Sequence, residues 1–267
     1  MLRLRTGDDR TNVGLAWRYA VALLAFVLTS GAARAEWEAS VKLERFRWAE
    51  STQPGVTETG PRYGIGAGWT QDRASGWLLG WRGELYGGSV QYNGAELFPP
   101  NNPIHGTTRY TGLITELQGI YRVPNGQAAL VSGLGFDYWN RQLTDIQKEE
   151  WYVFFARLGV ELGNRSQRAS GLFGGGGLKY PVYIIEDAHL TDIGFDSNPK
   201  LHPGRSPSLY AEIGYRFSGQ WSLTGYYDSY RFGESPAENT SVNGARFIVF
   251  QPESKADSYG LRLHVYF

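Results

Sequence analysis

From Tyr259 to the end of the chain, apolar side chains take every second position: Tyr259, Leu261, Leu263, Val265 and Phe267 alternate with Gly260, Arg262, His264 and Tyr266. Successive strand residues point to opposite faces, so this segment is a strand with one oily and one polar surface. The same period of two recurs upstream. Trp37, Ala39, Val41 and Leu43 oppose Glu38, Ser40, Lys42 and Glu44. Tyr63, Ile65, Ala67 and Trp69 form a second stripe, and Trp77, Leu79, Trp81 and Leu85 a third, with Arg82 and Glu84 on its reverse. Leu113, Leu117 and Tyr121 oppose Glu116, Gln118 and Arg122, and Leu130, Leu134, Phe136 and Tyr138 follow. Tyr152, Phe154, Leu158, Val160 and Leu162 oppose Arg157 and Glu161. A seventh strand spans 169–185, where Gly174 to Gly177 permit sharp curvature or close backbone approach. A phosphate cradle would need a helix after those glycines, and Lys179 to Ile185 reads as strand. Leu209, Ala211, Ile213, Tyr215 and Phe217 oppose Glu212 and Arg216, and Trp221, Leu223 and Tyr227 oppose Thr224, Tyr226 and Asp228.

Ten such strands predict an all-β, transmembrane, antiparallel up-and-down barrel, with eight and twelve as the neighbouring even counts. Turn residues near 72, 125, 166 and 219 make short connections, whereas 49–60, 94–108, 140–150, 186–207 and 233–256 read as long loops. In bacterial barrels short turns face the periplasm and long loops face outside, which places both termini in the periplasm. Several strands exceed the roughly 9–11 residues needed to cross a bilayer, so the barrel is expected to project beyond it. The closing segment resembles the C-terminal strand that outer-membrane barrels present to their assembly machinery. That resemblance rests on Tyr259, Leu261, Leu263, Val265 and Phe267. It implies the barrel-assembly machinery, outer-membrane lipid and lipopolysaccharide as partners. Trp37, Trp77, Tyr121, Tyr215, Phe217, Trp221 and Phe267 lie where an interfacial aromatic girdle would.

The amino-terminal region fits this address. Arg3, Arg5, Arg10 and Arg18 precede an apolar run from Tyr19 to Leu28 and then Ala33-Arg34-Ala35. These are the parts of a cleaved secretory signal peptide, expected at 1–35, and the run is too short for a spanning helix. The barrel domain is then 36–267. The chain has no cysteine and a formal charge of zero. No basic stripe for nucleic acid is present, and no disulfide or thiolate metal site can form.

Positions on the polar faces would point into the lumen. Arg82, Glu84, Glu116, Arg122, Arg157, Glu161, Glu212, Arg216 and Arg262 head this set, joined by Lys42, Glu44, Asp137, Lys179, Asp228 and His264. The signs are mixed, so the charges are expected to pair and fill a narrow barrel rather than line an open pore. A narrow selective channel is the alternative.

Chemistry beyond the barrel is sought in the loops. The stretch Leu178-Lys179-Tyr180-Pro181 through Asp187-Ala188-His189 is similar to the corresponding stretch of the omptins, ten-stranded outer-membrane proteases. The resemblance implies that Asp187 and His189 take the places of the family's catalytic Asp-His pair, facing two Asp of the second loop across an external groove. From Leu85 to Tyr110 this chain has no Asp and only Glu96, a departure from that design. Asp187, His189 and Asp192 also include metal-ligand types, but such groups are common in loops, and no metal or cofactor is assigned. Glu186, Asp187, His189 and Asp192 are otherwise read as solvated loop residues. The first reading is thus a noncatalytic structural or surface-binding barrel, its ligand unnamed. An omptin-like hydrolase is the alternative.

Overall fold

The computed structural model describes residues 35–53, 55–72, 76–95, 102–124, 128–163, 170–218 and 220–267. All of the expected leader except Ala35, together with Glu96 and most residues of the four short turns, lies outside them. The strands are β1 (Ala35–Glu50), β2 (Val56–Asp72), β3 (Trp77–Ala95), β4 (Pro103–Arg122), β5 (Ala128–Gln142), β6 (Lys148–Gly163) and β7 (Gly171–Asp187). Two short strands, β8 (Lys200–Leu201) and β9 (Gly204–Ser206), precede β10 (Ser208–Ser218) and β11 (Trp221–Gly233). A hairpin of β12 (Glu238–Val242) and β13 (Ala245–Val249) leads into β14 (Ser254–Tyr266).

Ten of these, β1 to β7 with β10, β11 and β14, pair antiparallel in a ring. β14 hydrogen-bonds β1, placing Leu263 opposite Val41, and β7 pairs β10, placing Leu178 opposite Leu209. Closure leaves no free sheet edge, as backbone in a bilayer requires.

The lower wall, toward the short turns, is inside out relative to a soluble protein. Leu134 and Ile213 are 68% and 61% exposed, while Glu116 and Lys179 are 3% and 1% exposed. The outward apolar stripes form a continuous band suited to hydrocarbon, and the charged stripes fill the interior.

The upper wall reverses this pattern. On β1, Phe46 and Trp48 are buried inward while Arg45 and Arg47 are exposed outward. Trp139, Trp151, Tyr230 and Phe232 likewise point in. The inversion marks where the solvent outside changes from hydrocarbon to water. It also explains why segments expected as long loops are strand. β1 and β2 continue to Glu50 and from Val56, and β3 and β4 continue to Ala95 and from Pro103.

One irregularity decides the orientation of the loop residues. In β7, Phe154 of β6 pairs with Tyr183 but Phe155 pairs with Pro181, so Val182 is an extra residue. Proline has no N–H for the ladder and is found at such bulges. An inserted residue flips every later side chain to the other face. Lys179 and Pro181 point inward, but beyond the bulge Ile184 and Glu186 do so, and Asp187 is carried to the outer face.

Above the rim, Asn243 and Gly244 both have positive φ, 49° and 81°, and join β12 to β13. An Asn-Gly pair adopts this two-residue turn without the steric cost that other residues meet. Asp196 ties the preceding loop to the hairpin, accepting from Ser241 Oγ at 2.6 Å and Gly244 N–H at 3.2 Å.

Candidate functional site

Three layers occupy the interior. In the lowest, Lys42 bridges Glu44 at 3.1 Å and Glu84 at 2.5 Å, and Arg262 reaches Glu84 at 2.8 Å. Arg62 binds Glu44 at 2.6 Å, and Tyr226 donates to the same carboxylate at 2.5 Å. Opposite them, Glu116 lies between Arg82 at 3.5 Å and Arg157 at 3.4 Å, and Arg157 continues to Asp228 at 2.8 Å. Asp228 also receives Lys179. Nearer the turns, Arg216 pairs with Glu36 at 2.7 Å and covers the Tyr266 ring, and Arg122 meets Asp72 at 3.3 Å. Glu212 lines a central void of about 120 Å³, and Glu161 lines a second of about 70 Å³. Each has room for a small cluster of waters. Arg62 is not among the expected lumen charges, because the reverse of the Tyr63 stripe otherwise holds only Gly64, Gly66 and Gly68.

The second layer is aromatic. Trp151 contacts Trp48, Trp139 and Phe232 at ring separations of 5.2, 5.4 and 5.2 Å. Trp48 and Trp151 are both 0% exposed. Each of these residues lies just before or after a segment expected as a loop and on no outward apolar stripe, so the sequence carries no signal for a hydrophobic cap there.

The third layer is an acidic knot at the rim. Arg141 donates to Glu58 at 2.8 and 3.1 Å, to Glu149 at 2.7 Å and to Glu50 at 3.0 Å. Glu58 also accepts from Thr108 at 3.0 Å and Tyr110 at 2.5 Å. Glu186, expected as a solvated loop residue, is 1% exposed and belongs here because of the bulge. Burial, reinforced by Glu149, pushes its carboxyl well above the usual range despite Arg141. The Gln251 amide lies 3.2 Å from both its oxygens.

Asp187 and His189 sit outside this knot, on the opposite face of the same wall. Glu150 is directly opposite Asp187 in the β6 and β7 register. His189 Nε2 lies 2.8 Å from Glu150 Oε2 and 3.9 Å from Asp187 Oδ2, and its Nδ1 lies 4.0 Å from Asp192 Oδ2. The His189 backbone is left-handed, with φ 47° and ψ 43°, and its N–H donates to Asp187 Oδ1 at 3.3 Å. Tyr138 donates to Glu150 Oε1 at 2.7 Å, and Lys200 pairs with Asp187. Burial is the largest single influence on both carboxyls and raises them, but the hydrogen bonds and neighbouring charges together outweigh it. Lys200 and the His189 N–H hold Asp187 below the ordinary range, and Tyr138 and His189 do so for Glu150. Glu150 is 39 residues from His189, and no sequence spacing linked them. The groove partner implied by the omptin resemblance is not supplied by the described part of the second loop, where an Asn93 and His105 pair stands at 2.7 Å.

A closed ring with an oily lower wall and a packed polar interior is the fold of the outer-membrane β-barrels. No protein-family model matches this sequence, and no curated protein does. Among solved structures, it is similar to the outer membrane protease OmpT from Escherichia coli, with a TM-score of 0.52 and 11% identity over 87% of this chain and 97% of that one. The translocator domain of the autotransporter NalP from Neisseria meningitidis aligns more loosely, with a TM-score of 0.42 and 9% identity over 96% of each chain. OprG from Pseudomonas aeruginosa gives a TM-score of 0.36 and 12% identity over 89% of this chain and 98% of that one. At such identities the likeness is one of fold.

Proposed function

We propose that this chain is an integral outer-membrane barrel that passes no solute and serves through its loop end, as a structural or surface-binding element. One observation carries the reading: the lumen is blocked twice, by an ion-pair network and by a buried aromatic cap above it. A charge network whose members pair offers a permeant ion little net field, and removing either partner would strand a buried charge. The aromatic cap presents mostly ring surface, which offers water little to bind. The short turns then face the periplasm and the rim faces outward.

Planar-bilayer recording of the refolded protein tests this. No large, steady conductance is expected above the lipid baseline, and a stable open level at all voltages would overturn the reading.

The convergence of Glu150, Asp187 and Asp192 on His189 favours a second reading, a hydrolase. Acid-base work by an imidazole needs substrate held between it and a second set of groups. All the groups here come from one side, so the binding role is preferred. Peptide and ester hydrolysis assayed beside His189→Ala separates the two readings, because only the hydrolase predicts turnover that this substitution removes.

A further inference from the structure

We propose that Glu150, Asp187 and His189 form a binding site for a borderline divalent transition cation such as Zn²⁺ on the outer face of the rim. Three ligand atoms, Glu150 Oε2, Asp187 Oδ2 and His189 Nε2, lie within 4.8 Å of one another. Around a tetrahedral Zn²⁺, ligands at about 2.0–2.2 Å stand roughly 3–3.5 Å apart, so small side-chain adjustments admit the ion.

Both carboxylates are tethered by their other oxygen. Tyr138 holds Glu150 Oε1, and the His189 N–H holds Asp187 Oδ1, leaving Oε2 and Oδ2 to converge. His189 Nδ1 lies 4.0 Å from Asp192, so a small side-chain shift would bring in the carboxylate that orients a ligating imidazole. Three carboxylates stand here against the ammonium of Lys200, with Lys148 nearby. Lys200 is 54% exposed along its side chain, so it can release Asp187 into an incoming cation's field.

The ligand set selects among metals. One imidazole with two carboxylates suits Zn²⁺, Mn²⁺ or Co²⁺, whereas Mg²⁺ and Ca²⁺ favour all-oxygen shells of six or more. Three protein ligands leave a fourth position open to water or to a group from a partner. The site comes from the β6 and β7 register, from the Val182 bulge that turns Asp187 outward, and from the left-handed turn at His189. It does not depend on whether the lumen conducts.

Isothermal titration of refolded, chelator-free protein with ZnCl₂ tests the assignment. One saturable site per chain is expected, weakened at least tenfold by His189→Ala and by Glu150→Gln. Lys200→Met should tighten it by removing the competing ammonium. Asp192→Asn should weaken it by about tenfold, as loss of an outer-shell partner does. Heat-modifiable migration on gels verifies that each variant is folded, and Co²⁺ absorption in the visible gives a readout of coordination that needs no affinity. Absence of one-site binding in the native protein, or binding unchanged in both His189→Ala and Glu150→Gln, overturns the proposal.

Discussion

At the scale of single residues, Glu186 shows how a backbone irregularity sets a protonation state. Had alternation continued unbroken from Lys179, Asp187 would point inward and Glu186 would meet water. The extra Val182 exchanges them. Glu186 now faces Glu149, Arg141, Glu50 and Gln251, and its carboxyl titrates well above its ordinary value of 4.5. A carboxyl whose folded pKa is raised favours the folded state at low pH, and that contribution is lost as pH climbs through the folded value. Stability should therefore fall on the alkaline side. Thermal unfolding of the barrel in detergent between about pH 5 and pH 9 should show this decline. Glu186→Gln should flatten it while leaving the acid limb in place. An unchanged alkaline slope would mean that Glu186 is not the group responsible.

At the scale of elements, the strands facing hydrocarbon were legible because water and lipid impose one rule on them: apolar outward, polar inward. All ten barrel strands follow it in their lower parts, from Trp37 to Leu43 on β1 and from Tyr259 to Phe267 at the end of the chain. The upper parts obey the opposite rule, and a single rule applied throughout has no place for Phe46, Trp48, Trp139 and Trp151 on the inward face. The Asn243-Gly244 turn carried a local signal that was available but went unread within a segment taken as one loop. The rim cluster was half legible. Asp187 and His189 stand out as neighbours, whereas Glu150 joins them only through strand register, and the face they share depends on a bulge.

The glycines of β7 are an element-scale constraint as well. A β-carbon on Gly177 would overlap the Leu158 carbonyl oxygen and the Gly159 Cα of the neighbouring strand, where both are backbone and cannot swing aside. Their role is close strand approach, in line with a seventh strand rather than a phosphate cradle. Gly177→Val should cost about 1–3 kcal/mol or more through overpacking. It should be visible as a lowered unfolding midpoint and a smaller folded fraction on gels, and a native midpoint would show that the wall can spread to accommodate it.

At the scale of the whole molecule, tryptophans divide by environment. Trp37, Trp77 and Trp221 are 46%, 51% and 44% exposed on the outer wall, while Trp48, Trp139 and Trp151 are 0%, 4% and 0% exposed inside. In vesicles made from lipids with brominated acyl chains, the outer group should be quenched and the inner group spared. Replacing Trp48, Trp139 and Trp151 together by Phe should therefore remove most of the unquenched emission. Equal quenching of both groups would place the inner rings against lipid and contradict the barrel's polarity.

The wall's length fixes where its rim operates. β4 is 20 residues long, and at about 3.3 Å per residue and a tilt near 35–45° it stands roughly 50 Å tall, about twice the ~25 Å hydrocarbon band. His189 and the Asn243-Gly244 tip thus meet their surroundings at arm's length from the bilayer. They are carried on a stalk that cannot shorten without unzipping the ladder that built it.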